Sequence, residues 1–165
     1  MTRQNVFAGL AGFYILRPNM LQSAALDALF PGNYDFPLAI QDRTFTTINA
    51  AGGSPPVCLC YGPEKNHNDL ALGFWQPEWA GRVAVVNGKI WPVLEVAQRA
   101  YRFRLLDGTN ARTLNLHLVA MGANKDACQS SVTWYLIGTE GGLYRKSRCV
   151  PSHLACLCYC LCAFC

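Results

Sequence analysis

The sequence predicts an all-β fold, a sandwich of short strands joined by turns, with one short helix near residues 20–29. Three observations carry that prediction, all within the stretch Val83 to Leu118, VAVVNGKIWPVLEVAQRAYRFRLLDGTNARTLNLHL. Asn87-Gly88 follows the β-branched run Val83–Val86, and Asn-Gly suits a type I′ hairpin because that turn needs positive φ at both central residues. Tyr101, Phe103 and Leu105 alternate with Arg102 and Arg104, the period-two signature of a half-buried strand. Leu114, Leu116 and Leu118 alternate with Asn115 and His117 in the same way.

The remaining elements follow in order. Asn5 to Leu16 reads as a strand interrupted by Gly9 and Gly12. Leu21, Ala24, Ala25, Ala28 and Leu29 recur at helical spacing, with Asn19 as a candidate cap and Pro31-Gly32 as the stop. Phe36 to Thr44 returns to strand character and ends on the charged pair Asp42-Arg43. Asn49 to Asn68 reads as a loop, since Gly52-Gly53-Ser54-Pro55-Pro56 holds no regular structure. Trp75 and Trp79 lie in an apolar run that suits packing better than a binding platform. Ile90-Trp91 continues the return strand of the hairpin, and Pro92 limits its pairing. Asp107-Gly108-Thr109-Asn110 is turn chemistry. Ser130 to Ile137 is a further strand, and Gly141-Gly142 a turn.

Composition narrows the class. The 165 residues are 52% hydrophobic and 15% charged, which describes a chain able to bury a core and excludes intrinsic disorder. A net charge of +4 with scattered arginines gives no nucleic-acid surface. Met1-Thr-Arg-Gln-Asn opens no signal peptide. The apolar residues 154–165 are too few for a membrane span, which needs about 20. Of nine cysteines, six fall between Cys149 and Cys165.

Five ordered blocks carry a family resemblance: NVFAGLAGFYILR (Asn5 to Arg17), YDFPLAIQDRTF (Tyr34 to Phe45), WQPEWAG (Trp75 to Gly81), VVNGKIWPVLEV followed by YRFRLLDGTNAR, and IGTEGGLYR (Ile137 to Arg145). Together they resemble the middle cupredoxin domain of three-domain multicopper oxidases, the group of spore-coat laccase, bilirubin oxidase and the plant low-phosphate-root ferroxidase-like proteins. The resemblance implies a Greek-key cupredoxin-like sandwich over residues 1–145, incomplete at both ends, with residues 146–165 a Cys-rich tail outside it. An incomplete sandwich exposes a sheet edge, so the isolated chain is expected to be marginal in stability. The resemblance further implies copper in the full-length protein, flanking cupredoxin domains as partners, and electron transfer from phenols, pigments or ferrous iron to dioxygen. Relatives of this kind are often secreted or spore-associated. Asn87, Gly88, Trp91, Pro92, Arg102, Arg104, Asn110 and Arg112 then form the family's structural motif.

No catalytic, cofactor or copper-ligand residue carries over. A type 1 copper takes a His₂Cys set, and the oxidase's trinuclear cluster takes His-x-His pairs. The three histidines, His67, His117 and His153, include no His-x-His. The domain is therefore expected to be a spacer without copper. Arg102, Arg104 and Arg112 are expected to cover a sheet face or to pair with carboxylates such as Asp107 or Glu95. A second reading keeps a different class open. Cys156, Cys158, Cys160, Cys162 and Cys165 would align thiols on one face of an extended tail and suit a soft ion such as Zn²⁺ or Cu(I). Against it stands the poor spacing for a zinc site, and the tail also reads as a segment foreign to the fold. Cys58 and Cys60 fall in a loop, and the pair reads equally as inert or as metal-binding.

Overall fold

A computed structural model describes residues 2–16, 28–47, 57–59, 78–117, 119–121, 128–131, 134–150, 153–156 and 160–164. Helix α1 (Arg3–Phe7) is followed by β1 (Asp35–Arg43), β2 (Phe45–Thr47), β3 (Val57–Leu59), β4 (Val83–Val86), β5 (Lys89–Ile90), β6 (Tyr101–Asp107), β7 (Leu114–His117), β8 (Val119–Met121), β9 (Cys128–Ser131), β10 (Trp134–Thr139), β11 (Gly142–Val150), β12 (His153–Cys156) and β13 (Cys160–Phe164). The fold is all-β, as the alternation predicts. Two compact units share it: residues 1–11, 40–93 and 108–112 form the first, and residues 12–39, 94–107 and 113–165 the second.

In the first unit, the distal half of β1 pairs antiparallel with β4, Ile40 opposite Val86 and Arg43 opposite Val83. The β4–β5 hairpin turns on Asn87 at φ 49° and Gly88 at φ 80°, the double positive φ of a type I′ turn. The return strand stops at Ile90, one residue earlier than expected, because Trp91 adopts φ 40° and leaves the extended region. The expected strand at residues 5–16 begins instead as α1. Thr2 Oγ1 accepts from Asn5 N at 3.3 Å, the N-cap bond that starts a helix. Gly9, at φ 96°, ends it: Leu10 N bonds Asn5 O and Gly9 N bonds Val6 O, both at 2.9 Å, a Schellman closure. Residues 10–16 that follow have no regular structure. The expected loop at 49–68 contains β3, which pairs with β2 and sets Cys58 opposite Thr46, so Cys58 is a strand residue. Cys60, His67 and Trp75 lie outside the described residues.

In the second unit, strands run in the order β11-β10-β13-β6-β1. Three further points depart from the sequence reading. Strand β6 is buried on both faces: Tyr101, Phe103, Leu105 and Leu106 are core residues, and Arg102 is only 4% exposed. An interior strand has no solvent face, and paired arginines tolerate that position. Strand β11 runs unbroken past residue 145, through to Val150. The tail then supplies two strands. β12 pairs with β7, and β13 lies between β10 and β6, with Cys162 opposite both Leu136 and Phe103. Cys156 therefore does not share a strand with Cys160 and Cys162, while Cys158 and Cys165 lie outside the described residues. The expected strand at 130–137 is divided between β9 and β10. Of the helix expected near residues 20–29, only residues 28–29 are described, and they are helical.

Candidate functional site

The chemically distinctive side chains gather in two arginine–carboxylate clusters, one in each unit. In the second unit, Asp35 opens β1 and accepts from both arginines of the alternating strand. Arg104 Nε and Nη2 reach its carboxylate at 2.9 and 2.8 Å, and Arg102 Nη2 bonds Oδ2. The side chains are 8% (Asp35), 5% (Arg102) and 13% (Arg104) exposed, so the cluster is largely withdrawn from water. Burial pushes the Asp35 carboxyl up; the Arg104 and Arg102 hydrogen bonds and charges outweigh it and hold the group below the usual carboxylate range. On the opposite face of β6, Phe36 packs on Tyr101 and Phe103 with ring centroids 5.8 and 6.0 Å apart. Tyr101 Oη accepts from Ala97 N at 2.8 Å, and Arg99 lies 3.3 Å over the Tyr34 ring.

In the first unit, Asp42 is the centre. Its Oδ2 accepts from Gly81 N at 2.6 Å and from Arg112 Nε at 3.0 Å, and Arg112 Nη2 donates to Gly81 O at 3.0 Å. With its amide oriented to satisfy both neighbours, Asn110 accepts from Trp79 N at 3.0 Å and Glu78 N at 3.3 Å. Arg43 is buried and donates to Phe7 O at 3.3 Å, and the Phe7 ring meets Trp79 edge-on. A Cβ on Gly81 would lie 2.4 Å from Arg43 N, so only glycine fits between these groups. Asp42, Asn110 and Arg112 thus stitch three sequence blocks together.

The arginines named from the sequence therefore hold structure, and the carboxylates shown holding them are Asp35 and Asp42. Sequence reasoning overlooked Asp35. Its place in the first position of β1, across from alternating arginines, is the signal available.

A different kind of surface follows the hairpin. Trp91 is 70% and Val93 90% exposed, and Ile90, Leu94 and Val96 are exposed too. Ile90, Trp91 and Val93 belong to the first unit, Leu94 and Val96 to the second. Trp91 is a bulky residue in the left-handed region, a conformation kept only where the surroundings enforce it. In the second unit, Tyr14 and Leu16 are also strongly exposed, beside a cleft of about 410 Å³ lined by residues 12–16, Arg104, Leu105 and residues 139–142.

Among the described residues, no group of three or more His, Cys, Asp or Glu is placed to hold a metal ion. His117 is exposed on β7, opposite His153 of β12. These residues do not fit a type 1 or trinuclear copper site, which needs more ligands than two histidines on facing strands. No described helix is long and apolar enough to cross a membrane.

Comparison with known proteins places these features in a family. No family model matches the chain. A laccase of Bacillus stratosphericus is 38% identical over 86% of this chain and 24% of its own length. Multicopper oxidase LPR1 of Arabidopsis thaliana is 39% identical over 68% of this chain and 18% of its own length. Among solved structures, a variant of the McoA multicopper oxidase of Aquifex aeolicus matches 96% of this chain and 30% of its own, at 28% identity and a TM-score of 0.66. The chain spans about a quarter of the length of the curated laccases it matches. It belongs to the multicopper oxidase family, as a cupredoxin-like part of a longer protein type.

Proposed function

We propose that this chain is the copper-free middle domain of a laccase-like or ferroxidase-like multicopper oxidase, serving as spacer and packing partner for flanking cupredoxin domains. Family membership implies copper in the full-length protein, and this chain lacks the side chains to hold it: three histidines and no His-x-His. Electrons in the parent enzyme pass from phenolic, pigment or ferrous substrates to dioxygen through copper held elsewhere. The carrying observation is the exposed apolar run that ends this stretch of the first unit, Ile90, Trp91 and Val93. The partial match to much longer relatives supports a flanking domain of the parent as its occupant. Each arginine cluster ties together the unit that holds it.

The test is to purify the chain, load it with copper, and follow absorption and oxidation of a dye substrate. Neither an intense blue thiolate–copper band nor turnover is expected. Either one would overturn the proposal.

A further inference from the structure

The cleft of the second unit, about 410 Å³, has the volume of a small-molecule site. Its lining is chiefly apolar: Phe13, Tyr14 and Leu16 come from the irregular segment 12–16, and Leu105 from β6. Two charged residues line it as well. Arg104 belongs to β6, and Glu140 sits at the tip of the β10–β11 hairpin, between the paired residues Thr139 and Gly142. All of these residues lie in the one unit.

Both charged side chains have bonding capacity to spare. Arg104 commits Nε and Nη2 to Asp35, which leaves its Nη1 amino group. Arg102 draws on the same carboxylate, so Asp35 divides its charge between two guanidinium groups. Glu140 is exposed and makes no ion pair among the described residues. Register separates the two. Arg104, Leu161 and Gly138 lie in one row across β6, β13 and β10. With strands about 4.8 Å apart, Arg104 and Gly138 are about 10 Å apart at the backbone, and Glu140 is two residues further along. A cleft that offers a donor cation, an open carboxylate and an apolar lining suits a ligand with both charges and an apolar body. We infer that it binds a free α-amino acid with an apolar or aromatic side chain, its carboxylate on Arg104 and its ammonium group on Glu140.

The charges set the selectivity. An anion without the ammonium group meets repulsion from Glu140, and a cation without the carboxylate meets it from Arg104. The ligand's side chain covers apolar surface that is otherwise wet, since Tyr14 is 89% and Leu16 77% exposed, and its burial favours binding. The site is independent of the spacer role.

The experiment titrates the isotope-labelled full chain with phenylalanine and follows its amide resonances. N-acetylphenylalanine lacks the ammonium charge and phenylalaninamide lacks the carboxylate. These two also stand for the ends of a peptide, so they separate a free amino acid from a chain terminus. The variant is Glu140→Gln; the Arg104 contact is read from the ligand side, because Arg104 also holds Asp35. Saturable shifts in residues 12–16 and 139–142 are expected with phenylalanine, and binding weaker by about tenfold or more with either blocked ligand. Glu140→Gln should weaken phenylalanine to a similar degree without weakening N-acetylphenylalanine. No saturable binding of phenylalanine, equal binding of either blocked ligand, or an unchanged affinity in Glu140→Gln overturns the inference. The ligand-free spectrum of the variant separates loss of binding from unfolding, and Glu140→Ala replaces a glutamine variant that does not fold.

Discussion

Replacing Asp35 by Asn keeps the side chain's shape and removes its charge, leaving Arg102 and Arg104 facing a neutral amide. The cost follows from burial. Asp35 is 8% exposed and Arg102 5%, so water does little to solvate the guanidinium group left behind. Breaking a buried ion pair by removing one partner costs about 3–5 kcal/mol. Asp42→Asn is the internal comparison. Its partner Arg112 is 47% exposed, so solvent screens the charge, and the loss should be about 1 kcal/mol. The assay is urea denaturation of the purified chain, read by tryptophan fluorescence. With a slope of about 1–3 kcal/mol per molar urea for a small protein, Asp35→Asn should lower the midpoint by about 1–5 M, or leave the chain unfolded without urea. Equal effects of the two variants, or a loss below about 1 kcal/mol for Asp35→Asn, would refute the reasoning that burial makes the Asp35 cluster the stronger tie.

Further outcomes follow from the same geometry. The folded Asp35 pKa lies below its unfolded value of about 3.9, so the unfolded chain binds the extra proton. This contribution is present in full above that value and is lost as pH falls through the folded pKa. Stability measured from pH 5 downwards should fall more steeply in the parent chain than in Asp35→Asn, and identical slopes would contradict this. Gly81→Ala forces a Cβ to within 2.4 Å of backbone at Arg43 and should destabilise by more than about 1 kcal/mol, measured by thermal melting; a neutral result would disprove the close approach. Trp91→Ser should change stability by no more than about 0.5 kcal/mol, measured by thermal melting, because its ring is mostly in solvent. A large loss of stability there would place the ring in the core.

The hairpin at Asn87-Gly88 was legible because its turn chemistry is local. The face assignment of β6 was legible as well, since period two places Tyr101 and Phe103 against Phe36 and sends Arg102 and Arg104 the other way. The burial of those arginines was not legible. It depends on Asp35, separated from Arg102 by 67 residues, and no local pattern announces such a pairing. Helix α1 was missed although Thr2 and Gly9 are its cap and stop, because five residues carry too little periodicity to outweigh an apolar run. The tail misled in the opposite way. Alternating cysteines looked foreign to the fold, yet Cys160–Phe164 is a short apolar run of the kind that fills an interior strand position between β10 and β6. The His117–His153 juxtaposition is a matter of register alone, which sequence spacing does not reveal.

The most direct test of the central claim is the visible spectrum of the copper-loaded chain. A multicopper oxidase part without its copper ligands should show no intense blue band and leave a dye substrate unoxidised. Weak Cu²⁺ absorption from nitrogen ligands is compatible with that, whereas a thiolate-to-copper charge-transfer band would contradict it.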